Sequence, residues 1–204
     1  MPHLKAMFFS LLERIIQIDT SLFYILNNKA TNVVFDFLMP ILTNLDYWKI
    51  PLAMIVVLLA IFGKRKGRVA VVLLVLGVAL SDQICNTVVK PLVGRIRPCN
   101  VLENVRLLVN GTKSLSFPSS HATNIFTGTL ILSSIYRRLK IPLIIIATLV
   151  AYSRIYVGVH YPLDVLIGSL LGILSALITI SIYRVFSRRF PKIGYVEDKI
   201  MLVS

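Results

Sequence analysis

Residues 163–186 read LDVLIGSLLGILSALITISIYRVF, and the only charges in the run are Asp164 near its start and Arg184 near its end. A helix rises about 1.5 Å per residue, so ~20 mostly apolar residues cross the ~30 Å of bilayer hydrocarbon. The run therefore predicts a membrane-spanning helix. Working outward, four more runs meet the same test when their polar ends are shared with the interface: 48–63, 67–89, 121–136 and 141–157. A shorter apolar stretch, 33–45, contains Asp36 and Pro40 and reads as a sixth crossing, a re-entrant piece or a surface helix.

Composition agrees with this reading. Of the 204 residues 56% are hydrophobic and 15% charged, and the mean hydropathy is +0.81, far more apolar than a soluble domain of this size. The expected fold is all-α: one integral membrane domain over residues 1–204, a polytopic helix bundle of five to six spans with an N-terminal amphipathic helix. Phe8, Leu11, Leu12, Ile15, Ile16, Leu22, Phe23 and Leu26 supply that helix's apolar residues, and Asn27-Asn28 is expected to end it. Glu13, Arg14, Gln17 and Asp19 interrupt the apolar residues too early for a signal-peptide core.

The formal charge of +13 raises nucleic acid as a partner, but the cations lie in short stretches between apolar runs and form no continuous basic face. Topology explains them better. Lys64, Arg65, Lys66, Arg68, Arg137, Arg138, Lys140, Arg184, Arg188, Arg189 and Lys192 put eleven cations on one side against seven on the other, which makes the first side cytoplasmic. Cys85 and Cys99 are too few for a disulfide framework and match no redox or metal spacing. In the longest loop, 92–117, Asn110-Gly111 signals a tight turn with a small hairpin, and Asn110-Gly111-Thr112 matches a glycosylation acceptor to which little weight attaches.

The side opposite the basic connections carries the residues that speak to chemistry. Lys90 ends one span, Arg97 precedes the stiff Pro98, and Arg154 closes another span. Three cations facing one cavity make a cradle for a phosphate dianion, and an arginine fork grips two oxygens at once. Each alone also fits a cation snorkelling to the interface. Pro118-Ser119-Ser120-His121 stands immediately before an apolar helix, where Ser is a favoured cap and the first-turn N–H groups are free to bind an anion. Pro162 suits the first position of the last helix, so Asp164 in its first turn can reach back to His160 as a capping-box acid does. Such a carboxylate holds Nδ1–H and presents Nε2 as a neutral nucleophile. Asn86 and Asp82 read either as support for this site or as polar contacts between helices, and Tyr152, Tyr156 and Tyr161 as an interfacial aromatic belt.

Taken together, Lys-x6-Arg-Pro, Pro-Ser-Ser-His and Ser-Arg-x5-His-x3-Asp, all between Lys90 and Asp164, resemble the three signature motifs of the type 2 phosphatidic acid phosphatase superfamily, which also includes the vanadium haloperoxidases. The membrane layout is similar to that of the family's integral lipid phosphatases. The resemblance implies that His160 forms a phosphohistidine oriented by Asp164, and that His121 protonates the leaving lipid oxygen and then activates water. It implies that Lys90, Arg97 and Arg154 hold the phosphate oxygens with Ser119 and the backbone around Ser120. Ser120 stands where the family commonly has glycine, which offers an added hydroxyl donor and places a side chain where the backbone would approach phosphate.

On this reading the chemistry needs no metal and no cofactor, because three fixed cations and a helix N-terminus stabilise the charge. The expected protein is a metal-independent phosphatase in a bacterial cytoplasmic membrane, with its site on the outer, periplasmic face and a membrane lipid as substrate. Undecaprenyl diphosphate and lipid A 1-phosphate rank ahead of phosphatidylglycerol phosphate and phosphatidic acid. A phosphotransferase using the same intermediate, or a lipid transporter or binding protein, are the alternatives. Nothing in the sequence fixes the oligomeric state.

Overall fold

The structure is a computed structural model that describes residues 2–111 and 113–190. Nine α-helices follow one another among these residues: α1 (Pro2–Tyr24), α2 (Val33–Thr43), α3 (Leu45–Phe62), α4 (Lys64–Gln83), α5 (Lys90–Val93), α6 (Pro98–Val101), α7 (Ser120–Ile135), α8 (Lys140–Tyr156) and α9 (Pro162–Arg189). Local signals start and stop them. The Asn32 side chain accepts the Phe35 N–H at 2.8 Å to cap α2, and Asn44 does the same for the Asp46 N–H at 3.0 Å to cap α3. Helix α4 runs on through a wider π-helical stretch, Ile84–Val89, into α5, and Gly94 ends it at φ 65°.

Helix α7 is the centre of the bundle and packs against α4, α8 and α9. Its inward residues include Ala122, Thr123, Thr127, Thr129 and Ser133, small or hydroxylated side chains that let neighbouring backbones come close. Thr127 donates to the Thr123 carbonyl at 2.8 Å and lies 3.0 Å from the Gly172 carbonyl of α9. One core cluster, Ala70, Leu73, Ile131, Ile135, Ala176 and Ile180, fills the end bearing the basic connections, where Lys66 lies 5.4 Å above the Tyr136 ring. A second cluster, Phe23, Ala122, Ala151, Ile155, Tyr161 and Val165, fills the opposite end, beneath the motif residues.

Four segments, Leu45–Phe62, Lys64–Val101, Arg137–Tyr156 and Pro162–Arg189, are long and apolar enough to cross a membrane. The outer faces of these helices expose apolar residues throughout, and α3 has no buried residue at all, a surface suited to lipid. The expected span at 121–136 corresponds to α7, which has 16 residues and is enclosed by its neighbours, so it needs no uniformly apolar face. The stretch expected at 33–45 forms α2, whose 11 residues reach ~16 Å and cannot cross alone.

Three local expectations change. Asn27 does not end the first helix; the chain continues through a π-helical turn, Ile25–Lys29, and buries the Asn27 amide against the Arg106 and Tyr156 carbonyls at 3.0 and 2.8 Å. Helix α1 and the π-helical turn that follows it bury Asp19, Phe23 and Asn27, four residues apart, while Phe8, Leu11, Leu12, Ile15, Ile16 and Leu22 face outward. Asn110-Gly111 sits in an irregular loop, and the described residues contain no strand to make a hairpin; Thr112 and Lys192 lie outside the described residues.

Gly168 in α9 faces the start of α7, where an added Cβ would lie 2.6 Å from the Ser119 carbonyl oxygen. Gly168→Ala should therefore destabilise the protein by about 1–3 kcal/mol despite alanine's better helix propensity. Thermal unfolding in detergent checks this against Gly128→Ala, whose Cβ meets only the Leu74 side chain at 3.6 Å and should cost nothing. Equal stability of the two variants would contradict the close packing of α9 on the Ser119 backbone.

Candidate active site

The turn between α8 and α9 places His160. Its N–H and that of Val159 both donate to the Arg154 carbonyl at 3.2 Å, with Gly158 at φ 88° reversing the chain. His160 is 1% exposed. Nε2 lies 3.0 Å from Arg97 Nη1, and a guanidinium can only donate, so Nε2 is the bare acceptor and Nδ1 carries the proton. Nδ1 in turn lies 3.4 Å from Asp164 Oδ2 and 3.4 Å from Ser116 Oγ, at the long end of hydrogen bonding. Burial pushes the His160 pKa down to about 3, against the opposing hydrogen bond to the Asp164 carboxylate and with the added fields of Arg154 and Arg97.

Asp164 is fully buried, and its neighbours satisfy it from several segments. Oδ2 accepts the Tyr161 N–H at 2.9 Å, the reach back over the helix start, and also the Ser116 hydroxyl. Oδ1 accepts Arg95 Nη1 at 2.9 Å. The Asp164 carbonyl accepts the Ser119 N–H at 2.9 Å, which fixes the start of α7 beside the start of α9.

The cations lie around the same end of the bundle. Arg97, 4% exposed, is held by the Ser114 carbonyl at 2.9 Å, the Ser114 hydroxyl at 3.0 Å and the Val159 carbonyl at 3.1 Å. Lys90 donates to Asn86 Oδ1 and Ser120 Oγ at 2.8 and 2.7 Å, and Ser120 donates its single hydroxyl proton to Asn86 at 2.8 Å. The Ser120 side chain thus aims the ammonium. Arg154 donates Nη1 to the Thr43 hydroxyl, whereas its buried Nε and the buried Ser119 Oγ have no hydrogen-bond partner. His121, half-buried in the first turn of α7, neighbours the Thr43 backbone and shares its electrostatic surroundings with Arg154, His160 and Arg97. Lys90 feels both Arg97 and Arg154. Lys90, Arg97, Ser119, Ser120, His121, Arg154, His160 and Asp164 are therefore drawn from three regions of sequence to one end of the fold.

Other residues had no signal in the motif pattern. Ser116, Thr43 and Arg95 are polar residues whose role depends on contacts that only the tertiary fold makes. Asn86 supports Lys90, while Asp82 accepts from Asn124 at 2.9 Å and joins α4 to α7. The tyrosines do not form a lipid-facing belt. Tyr156 is fully buried and donates to Asp36 at 2.5 Å, Tyr161 packs on Phe23, and Tyr152 packs edge-on to Phe35 and Tyr156.

Comparison with known proteins gives the same direction. A sequence model of the PAP2 superfamily matches residues 70–188. The lipid A 4'-phosphatase of Bacteroides thetaiotaomicron is 32% identical over 79% of this chain and 75% of its own length. The undecaprenyl-diphosphatase of Sulfolobus acidocaldarius is 40% identical over 56% of this chain and 55% of its own. The crystal structure of Aquifex aeolicus LpxE superimposes with a TM-score of 0.66 at 30% identity, covering 79% of this chain and 94% of that one.

Two outcomes follow from the geometry. The folded pKa of His160 lies below the ~6.5 of a free imidazole, so the unfolded chain takes up the proton first; its contribution to stability is complete above about pH 6.5 and declines as pH falls toward 3. Nitrogen NMR of labelled histidine should find His160 neutral and protonated on Nδ1 at pH 6, and an imidazolium there would contradict the burial. Ser116→Ala removes a hydroxyl from a buried carboxylate, worth about 1.5–3 kcal/mol, and should lower kcat roughly 10- to 100-fold with KM little changed. An unaltered kcat would show that Ser116 does not position Asp164.

Proposed function

The chain belongs to the PAP2 superfamily and is a membrane lipid phosphatase, and from that premise we propose that it releases a terminal phosphate through a phosphohistidine on His160 at the outer face of the membrane. The observation that carries this is the Arg97–His160 contact: Nε2 accepts from Arg97 Nη1 and is therefore unprotonated, and that donor passes to a phosphate oxygen as phosphorus approaches. In the first step the lone pair of Nε2 attacks phosphorus. The P–O bond to the lipid breaks with its electron pair on oxygen, and that oxygen takes a proton from His121, which enters the step as an imidazolium charged in the field of the bound phosphate dianion. Asp164 holds Nδ1–H as the ring becomes cationic.

Lys90, Arg97, Arg154 and the Ser119 hydroxyl take the non-bridging oxygens, with the first-turn N–H groups of α7. The unpartnered Arg154 Nε and Ser119 Oγ are donors suited to that anion. Ser120 contributes by holding Lys90 and through its backbone N–H. In the second step His121 takes a proton from water as the water oxygen bonds to phosphorus, the N–P bond breaks, and inorganic phosphate leaves. The positive-inside asymmetry supports an outward site in a cytoplasmic membrane.

For substrate we propose a phosphorylated envelope lipid, a lipid A phosphate or an isoprenyl diphosphate. The names of the two curated relatives support this, and a site at a helix end beside exposed apolar faces admits a headgroup while the tail stays in lipid. Purified protein should release phosphate from one of these in preference to phosphatidylglycerol phosphate, phosphatidic acid and water-soluble phosphate esters. His160→Ala should abolish release, and wild-type protein quenched during turnover of radiolabelled lipid should carry an acid-labile phosphate that His160→Ala lacks. Undiminished turnover by His160→Ala would end the assignment, and preference for soluble esters would end the lipid reading.

A further inference from the structure

Asp19 is a charged residue of α1 that is 2% exposed, and none of the chemistry above uses it. Its Oδ1 accepts the Leu163 N–H in the first turn of α9 at 2.8 Å, and its Oδ2 lies 2.7 Å from Arg95 Nη2. The other arm of the same guanidinium reaches Asp164 Oδ1 at 2.9 Å. Arg95 is further fixed face-on to the Tyr161 ring, 3.7 Å from its centroid, and its backbone carbonyl accepts the Ser116 N–H at 2.7 Å. One arginine therefore carries three connections: to the catalytic carboxylate, to the serine that shares that carboxylate, and to the N-terminal helix.

We infer that Asp19 and Arg95 are positioning residues for the reaction, and that Asp19 acts by balancing the Arg95 charge so that the carboxylate of Asp164 remains available to His160. The inference rests on the phosphohistidine reading and deepens it. Asp19, Arg95 and Asp164 are two carboxylates and one guanidinium, one net negative charge beside the imidazole. When Nε2 gives its lone pair to phosphorus the ring, still protonated on Nδ1, becomes cationic, and that net negative charge stabilises it in a site where little water reaches. Without Asp19 the Arg95 charge neutralises Asp164, and the developing cation faces no net opposite charge. Arg95 alone would compete with His160 for the same carboxylate; Asp19 removes that competition.

The test is a double-mutant cycle on the full chain, purified in detergent, with phosphate release from the best lipid substrate as the readout. Asp19→Asn is nearly isosteric and keeps an oxygen for the Leu163 N–H. It should lower kcat about 10- to 100-fold with KM within about twofold, the signature of a buried ion pair whose effect is felt in the transition state. Arg95→Met should also lower kcat. In that background Asp19→Asn should cost nothing further or raise kcat, because it removes a carboxylate that no longer has a cation to balance. Arg95→Lys keeps the charge and loses the fork, so it should lower kcat with KM retained, which serves as a second reading if Asp19→Asn does not fold. Wild-type kcat in a folded Asp19→Asn or Arg95→Lys variant overturns the inference, and so does an equal further fall for Asp19→Asn in both backgrounds, which marks a role independent of Arg95. If wild-type protein releases no phosphate, or His160→Ala releases as much, the phosphohistidine reading fails and this inference falls with it.

Discussion

A carboxylate withdrawn entirely from water, that of Asp164, organises the functional end of this bundle. An unpaired buried charge costs several kcal/mol, so every segment that supplies a partner is held in place by that requirement. The partners come from far apart: Tyr161 N–H from the start of α9, Arg95 from the loop between α5 and α6, Ser116 from the loop between α6 and α7, and His160 from the turn after α8. Arg95 extends the set to Asp19 on α1. The loop carrying Arg97 and the start of α7 carrying Ser119 are tied to the same centre, through Val159 and the Asp164 carbonyl respectively.

The bundle beneath makes this possible by placing polar surface inside and apolar surface outside. Helix α7 gives its threonines and Ala122 to the interior, and Gly168 and Gly172 of α9 leave room for its backbone. Close helix contact then sets the starts of α7 and α9 side by side, so two motif segments share one end, with the first turn of α9 already satisfied by Asp19 and Asp164. Cations at that end stay hydrogen-bonded: Lys90 to Asn86 and Ser120, Arg97 to Ser114 and Val159, Arg154 to Thr43. Such support holds charged groups in register next to lipid, where an unsupported cation would turn toward water.

The sequence is most legible where chemistry leaves marks on adjacent residues. Pro98, Pro118 and Pro162 each stand at the start of a local structure, and the charged or titratable residues beside them read directly as a phosphate site. The apolar runs locate the long helices to within a few residues. Partners made by tertiary folding leave no such mark. Asp19 reads as a polar interruption on a surface helix, because a carboxylate in an isolated helix is expected in water, and only its approach to Arg95 and Leu163 gives it another meaning. Asn27 reads as a stop signal but is held inside by two carbonyls. Helix α7 reads as one more membrane span; its unusual number of threonines and serines is the feature that distinguishes a helix enclosed by other helices.

The most direct measurement is a structure of the protein with bound orthovanadate, which takes the five-coordinate geometry of phosphoryl transfer. Vanadium should lie within bonding distance of His160 Nε2, with its equatorial oxygens on Lys90, Arg97 and Arg154 and an apical oxygen facing His121. Vanadate bound away from Nε2, or His121 turned to a different cavity, would contradict nucleophilic catalysis by His160.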